Sequence, residues 1–281
     1  QPSASRQLPA GTTTALASIS NTARLLIAYV SIQQRRPDLK PLIYGHRGAR
    51  GEAPENTLPS FQKALDTGVT RVELDLHLSA DQQLMVIHDP TLKRTTGRRG
   101  KVAQHNAADL MQMDARRAIP GWAESCPIPS LDQLFSRFPQ MQHYQLEVKS
   151  GSVRQSRIVL AAVKELVERY QLQDKVVITS SSRTLLKYAK ASGFNLPTGL
   201  VEEYALLNPV KAAKRYGCSH LILNWKLCTA ERVERAQQAG LHVSVWTVNE
   251  EAKMLKLADM GVDSIITDYP ARATRLFERS A

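Results

Sequence analysis

Residues 144–267 repeat one pattern: a short apolar run, then a longer stretch with apolar residues every three or four positions. Apolar runs at 144–148, 175–179, 198–201, 220–223, 242–247 and 263–267 alternate with helical patterns at 153–170, 182–191, 208–215, 229–239 and 249–260. Each helix returns the chain across the sheet, so successive strands run parallel. Two architectures accommodate this, a closed (β/α)8 barrel or an open doubly wound sheet. No GxGxxG fingerprint and no P-loop opens a helix, which counts against the nucleotide-binding open sheets. At 281 residues the chain fits one large barrel or two modest domains.

Upstream, Arg71–Leu78 alternates strictly between polar and apolar residues, the period of a strand with two unlike faces. Val72, Leu74, Leu76 and Leu78 share one face; Glu73, Asp75 and His77 share the other. A turn at Ala80-Asp81-Gln82 follows, then Leu84–Ile87, ending at His88-Asp89-Pro90. A parallel crossover needs roughly a dozen residues, so 71–88 reads as a hairpin. Pairing back from its turn sets His88 beside Leu74 and Asp75. Before it, Leu42-Ile43-Tyr44 feeds directly into Gly45-His46-Arg47-Gly48, and Asn56 or Thr57 caps a helix over Leu58–Thr67 that Gly68 closes. Pro129-Ser130-Leu131 opens a short helix through Phe138. Residues 90–130 read as a loop or small subdomain inserted after the hairpin, including the basic stretch Arg94–Gly100. The tally is nine strand candidates for the eight places of a barrel.

The chemistry-bearing residues fall at strand ends: His46, Glu73 and Asp75, His88, Glu147 and Lys149, Trp246. A TIM barrel gathers its site from strand C-termini in this way. Leu146-Glu147-Val148-Lys149 repeats the alternation, so Glu147 and Lys149 share a face, and inward-facing Glu147 joins Glu73 and Asp75. Three enclosed carboxylates repel one another unless a cation lies between them, and all-oxygen donors suit a hard ion, Mg²⁺ or Ca²⁺.

Taken together, His46-Arg47-Gly48, Pro54-Glu55-Asn56-Thr57, Glu73-Leu74-Asp75, Val86-Ile87-His88-Asp89, Leu92-Lys93-Arg94-Thr95-Thr96, Leu146-Glu147-Val148-Lys149, Val245–Asn249 and Ile265-Ile266-Thr267-Asp268 resemble the glycerophosphodiester phosphodiesterases, in that family's order over about residues 41–270. The resemblance implies a TIM barrel of the phospholipase C-like phosphodiesterase type. It implies hydrolysis of glycerophosphodiesters to glycerol 3-phosphate and an alcohol, a divalent metal on Glu73, Asp75 and Glu147, and His46 and His88 as the acid–base pair. The chemistry is intelligible in its own terms. Arg47 and Lys149 act as charge-assisted donors to the phosphoryl oxygens, and two histidines titrating near neutrality serve both sides of an in-line displacement. A glycerol hydroxyl beside the phosphate is a candidate nucleophile, gaining from proximity. Trp246 walls the glycerol pocket. Glu55 and Asn56 orient His46 or Arg47, or cap the next helix. The Arg94–Arg99 loop leans over the phosphate or stands in solvent. His77 reads as structural, and His105, His143, His220 and His242 show no spacing that singles them out. Two other readings compete: a lysophospholipase D on the same machinery, and a non-catalytic barrel that binds phosphodiesters or headgroups. An intact histidine pair argues against the binder.

The net charge of +11 and pI near 9.7 favour an anionic partner. No nucleic-acid motif is present, leaving a phosphorylated small molecule or an anionic membrane surface. Residues 1–40 read as a tail followed by a helix over 14–34, with Leu16, Ile19, Ala23, Leu26, Ile27 and Val30 recurring at helical spacing. That helix covers a barrel end or lies on a membrane surface. No run reaches the ~20 residues of a membrane span. Residues 41–281 form the barrel domain. Cys126, Cys218 and Cys228 have no metal spacing and read as buried apolar residues, a Cys218–Cys228 disulfide being open only to an exported protein. No export signal is visible, which favours a cytoplasmic form, while the start at Gln1 leaves periplasmic and membrane-tethered forms open.

Overall fold

The structure, a computed structural model, describes residues 40–149, 151–204 and 208–279. The predicted 14–34 helix lies outside them. Eight parallel strands close into a barrel: β1 (Leu42–His46), β2 (Arg71–Leu78), β4 (His143–Val148), β5 (Val176–Ser180), β6 (Thr198–Glu202), β7 (His220–Asn224), β8 (His242–Trp246) and β9 (Ser264–Thr267). Closure comes from β1, which pairs with β9 through Leu42↔Ser264 and with β2 through His46↔Glu73. The ninth candidate is β3 (Leu84–Val86). It folds back antiparallel on the upper half of β2, with Leu76 opposite Val86 and Leu78 opposite Leu84, and takes no place in the barrel. Just past β3 the Ile87 N–H donates to the Asp75 carbonyl at 3.0 Å, which brings the next residue, His88, to the Asp75 end of the pairing, as the hairpin reading expects.

Helices α1 (Leu58–Asp66), α2 (Leu131–Arg137), α3 (Val153–Arg169), α4 (Arg183–Ala191), α5 (Pro209–Arg215), α6 (Ala230–Gln238), α7 (Glu251–Asp259) and α8 (Pro270–Arg279) surround the strands. Side-chain oxygens of Ser130, Ser152, Ser182, Asn208 and Thr229 cap α2 to α6 by accepting a backbone N–H from the first turn. The cap expected for α1 does not form: Thr57 donates to the Pro54 carbonyl instead, and Asn56, in the left-handed region at φ 56°, turns to Asp75. The C-terminal helix α8 is an element the sequence pattern did not reveal.

Strand alternation divides the barrel wall. Val72, Leu74 and Leu76 of β2, Leu146 of β4 and Val243 of β8 lie in the layer beneath the helices. Tyr44, Val201, Ile222 and Ile266 fill the interior, with Trp246 packed against them. Residues 87–130 form a small subdomain with its own core of Ile87, Leu92, Val102, Leu110, Met113 and Ile128, built on short helical turns such as Lys93–Thr96 and Ala107–Leu110. All three cysteines are buried and free.

Candidate active site

The site lies where β1, β2 and β4 end. Arg47 (φ 51°) and Gly48 (φ 84°) are consecutive left-handed residues that turn the chain sharply after His46. The turn is pinned by the Arg47 N–H donating to the Glu73 carbonyl at 2.9 Å and by the Asn56 N–H donating to the Arg47 carbonyl at 3.0 Å. It thereby holds His46 facing the interior beside Glu73, Nε2 to Oε2 3.8 Å.

In the parallel register Asp75 faces Glu147, and one oxygen from each of Glu73, Asp75 and Glu147 lies within 4.8 Å of the others. Lys149 leans into this group, its Nζ 2.5 Å from Glu147 Oε1 and 3.2 Å from Asp75 Oδ1. Burial, reinforced by the charges of Asp75 and Glu147, pushes the Glu73 carboxyl well above its ordinary range. Burial also raises Glu147, against Lys149. Burial opposes the Asp75 charge too, but Arg47 and Lys149 beside it hold that carboxyl well below the usual range. Asp75 Oδ1 is buried and accepts no hydrogen bond. Three close carboxylates, two of them raised by burial and by their acidic neighbours, fit a hard divalent cation.

Both site histidines are oriented through Nδ1. His46 donates to Asp268 Oδ1 at 2.6 Å; Asp268 in turn accepts from Asn249 Nδ2 at 2.8 Å, and its own N–H donates to Asn249 Oδ1 at 3.0 Å. Burial lowers the His46 pKa, only partly offset by that hydrogen bond. Burial works against the Asp268 charge as well, yet His46 and Asn249 keep it low. His88 pairs with Asp89 Oδ1 at 2.7 Å, and its carbonyl accepts from His77 Nε2 at 2.9 Å. Arg94 then bridges the two halves of the site. It donates to Asp89 Oδ2 at 2.7 Å and to both Glu55 oxygens at 2.7 and 2.8 Å, while Glu55 also accepts from Arg47 at 2.8 Å. Burial would raise Glu55, but Arg94 and Arg47 bring it down to about 2.

The structure thus brings His46, His88, Glu73, Asp75, Glu147, Arg47 and Lys149 together. Trp246 stands at the end of β8 in the interior wall, its buried Nε1 without a partner. Glu55 accepts from Arg47; the Asn56 side chain donates to Asp75 at 3.0 Å while its backbone N–H holds the Arg47 carbonyl. Neither caps α1. The roles sequence reasoning did not assign are those of Asp268 and Asn249, which hold His46, and of Asp89 and Arg94 beside His88. Asp89 and Arg94 had a local signal, an acid directly after His88 and a base five positions on. Asp268 had a weaker one, an acid directly after an apolar strand.

A parallel barrel with two carboxylate-held histidines beside an acidic cluster able to hold a hard metal ion fits one class, the hydrolases of anionic phosphate esters. The sequence pattern of the glycerophosphoryl diester phosphodiesterase family matches residues 46–272, and the chain belongs to that family of phosphoric diester hydrolases. It is 30% identical over 242 residues to a glycerophosphodiester phosphodiesterase of Caldanaerobacter subterraneus subsp. tengcongensis, covering 86% of this chain and 99% of that one. It is 31% identical over 245 residues to a glycerophosphodiester phosphodiesterase of Bacillus subtilis, covering 82% and 84%. Its fold matches the structure of an Oleispira antarctica phosphodiesterase in complex with the product sn-glycerol-3-phosphate, with a TM-score of 0.78, 28% identity and coverage of 85% and 97%.

Proposed function

We propose that residues 41–281 form a metal-dependent glycerophosphodiester phosphodiesterase that releases sn-glycerol 3-phosphate and an alcohol. The observation that carries this reading is the convergence of His46 and His88, each with Nδ1 held by a carboxylate, on the group Glu73, Asp75 and Glu147. Those three carboxylates would hold Mg²⁺ or Ca²⁺, which when bound neutralises the phosphoryl oxygens as charge develops.

The chain's own groups do the rest. His46 is buried and its Nδ1 proton is committed to Asp268, so Nε2 is the free lone pair that accepts the nucleophile's proton. The nucleophile is the glycerol hydroxyl next to the phosphate; attack forms a cyclic diester and expels the headgroup oxygen, and water then opens the ring. His88, one-third exposed at the mouth, gives its Nε2 proton to the departing alcohol, which leaves directly into solvent. Arg47 and Lys149, both beside Asp75, supply positive charge to the phosphoryl group. Trp246 walls the glycerol moiety.

The test is glycerol 3-phosphate release from glycerophosphocholine by chelator-stripped protein, with Mg²⁺, Ca²⁺ or neither restored. Metal-dependent release is expected. Release undiminished without metal would remove the cation from the reading, and turnover confined to lysophosphatidylcholine would turn it to a lysophospholipase D.

A further inference from the structure

The insertion that supplies Arg94 carries charge the active site does not use. Residues 93–101 (Lys-Arg-Thr-Thr-Gly-Arg-Arg-Gly-Lys) contain five basic side chains and no acid. Arg94 is consumed by Glu55 and Asp89. Lys93, Arg98, Arg99 and Lys101 are exposed, and none forms an ion pair among the described residues. The fold brings a further cation to the same place from sixteen or more positions away: exposed Arg117 lies across the turn, its Nη1 2.7 Å from where a Cβ on Gly97 would stand. Gly97, at φ 77°, leaves the room for it.

Acids inside the insertion do not neutralise this group. Asp89 is taken by Arg94 and Asp114 by Arg116 at 2.9 Å, leaving Asp109 and Glu124 against five unpaired cations. A patch of uncompensated positive charge complements a negatively charged partner. Single-stranded nucleic acid requires aromatic platforms as well, and 93–101 has none. A bilayer bearing anionic headgroups requires only the charge. The patch is also fixed relative to the catalytic mouth. Leu92 and Val102 on either side are buried in the insertion's core, and Arg94 ties the turn to Asp89, the partner of His88.

We propose that the insertion is a docking face for an anionic bilayer, with Lys93, Arg98, Arg99, Lys101 and Arg117 as its contacts, and that it brings the His88 side of the barrel mouth to the membrane. Each basic side chain close to such a surface strengthens binding by roughly fivefold at low salt. The test uses the full chain and phosphatidylcholine vesicles with or without phosphatidylglycerol, read by cosedimentation at rising salt. Binding is expected only to the phosphatidylglycerol vesicles, falling as salt increases. R98E/R99E is expected to weaken it at least about tenfold. K211E/K214E, exposed on α5 and equal in charge change, is expected to leave it nearly intact.

Equal weakening by both pairs would reduce the effect to net charge and overturn the proposal. Full binding by R98E/R99E would move the contact elsewhere in the chain, and retention on an oligonucleotide but not on vesicles would replace the partner; either overturns it. Because binding is measured without substrate, the outcome is independent of the reaction proposed above. A thermal melt of R98E/R99E matching the parent's shows that any loss is not unfolding.

Discussion

Asp268 and Asp89 serve the two imidazoles from very different distances along the chain. Asp89 follows His88 directly, whereas Asp268 is 222 positions from His46. Each accepts the Nδ1 proton and leaves Nε2 as the working nitrogen, fixing the tautomer. Replacing His46 or His88 by Ala is expected to lower kcat by about 10²- to 10⁴-fold, with circular dichroism and Tm like the parent's. Near-normal turnover in either purified variant would remove that histidine from the chemistry. Asp268→Asn is subtler. The amide can donate to Nδ1 and so favour the wrong tautomer, which predicts a kcat loss of about 10²-fold or more with KM changed little. A substrate with an activated leaving group separates the two sides. It is expected to rescue His88→Ala, which lacks only the proton donor, and not Asp268→Asn. The sequence pattern showed the histidines and carboxylates because their local alternation is strong; it could not pair Asp268 with His46 because nothing local links the two.

At the scale of elements, strands were legible because their apolar runs are short and bounded, and their predicted positions agree with β1 to β9 within a residue or two. What the runs could not tell is which one leaves the barrel, since antiparallel β3 is as apolar as its parallel neighbours. Helix α8 escaped because Pro270–Arg279 buries only Pro270, Ala273 and Phe277 among several arginines. The crowding in the loop after His46 is visible only in three dimensions. A Cβ on Gly48 would stand 2.5 Å from Ser60 Oγ and 2.6 Å from the Ser60 carbonyl carbon. That hydroxyl donates to the Arg47 carbonyl and accepts the Ala49 N–H, so it cannot move freely. Gly48→Ala therefore adds overpacking to a left-handed penalty, about 2–4 kcal/mol together. Gly68→Ala is the control. It has nearly the same φ, 80° against 84°, but nothing lies within 4 Å of its Cβ, so about 1 kcal/mol is expected. Urea unfolding of the pair measures the clash alone, and equal losses would refute it.

Across the whole molecule the barrel separates chemistry from stability, with the catalytic groups at strand ends and a second histidine cluster at strand beginnings. His143, His220 and His242 open β4, β7 and β8, positions that no sequence spacing singled out because only barrel closure brings them together. The rings of His220 and His242 lie 4.8 Å apart, His143 Nδ1 meets the Tyr44 hydroxyl at 3.0 Å, and His242 Nε2 meets Ser264 Oγ at 2.9 Å. Burial, then the neighbouring His242 and Arg71, pushes His143 down to about 4. Burial, then His242 and His143, pushes His220 down to about 3. Burial lowers His242 too, against the pull of Asp263. The folded pKa values lie below the ordinary 6.5, so between pH 6.5 and about 4 the unfolded chain binds protons that the folded chain refuses. Stability is therefore full above pH 6.5 and is lost as the pH falls through that window. At pH 5 linkage gives up to about 2 kcal/mol for each of His143 and His220, and solvent access at the barrel base reduces the sum to about 2–3 kcal/mol. Glu73, raised by burial, works in the opposite direction, and His46 and His77 in the same one, so the parent's slope alone does not isolate the cluster. His220→Gln does. Urea unfolding of parent and variant at pH 7.5 and pH 5, with divalent ion present throughout, is expected to show the parent losing about 1 kcal/mol more than the variant over that interval. Equal losses would mean that His220 takes up its proton in the folded barrel as readily as in the unfolded chain.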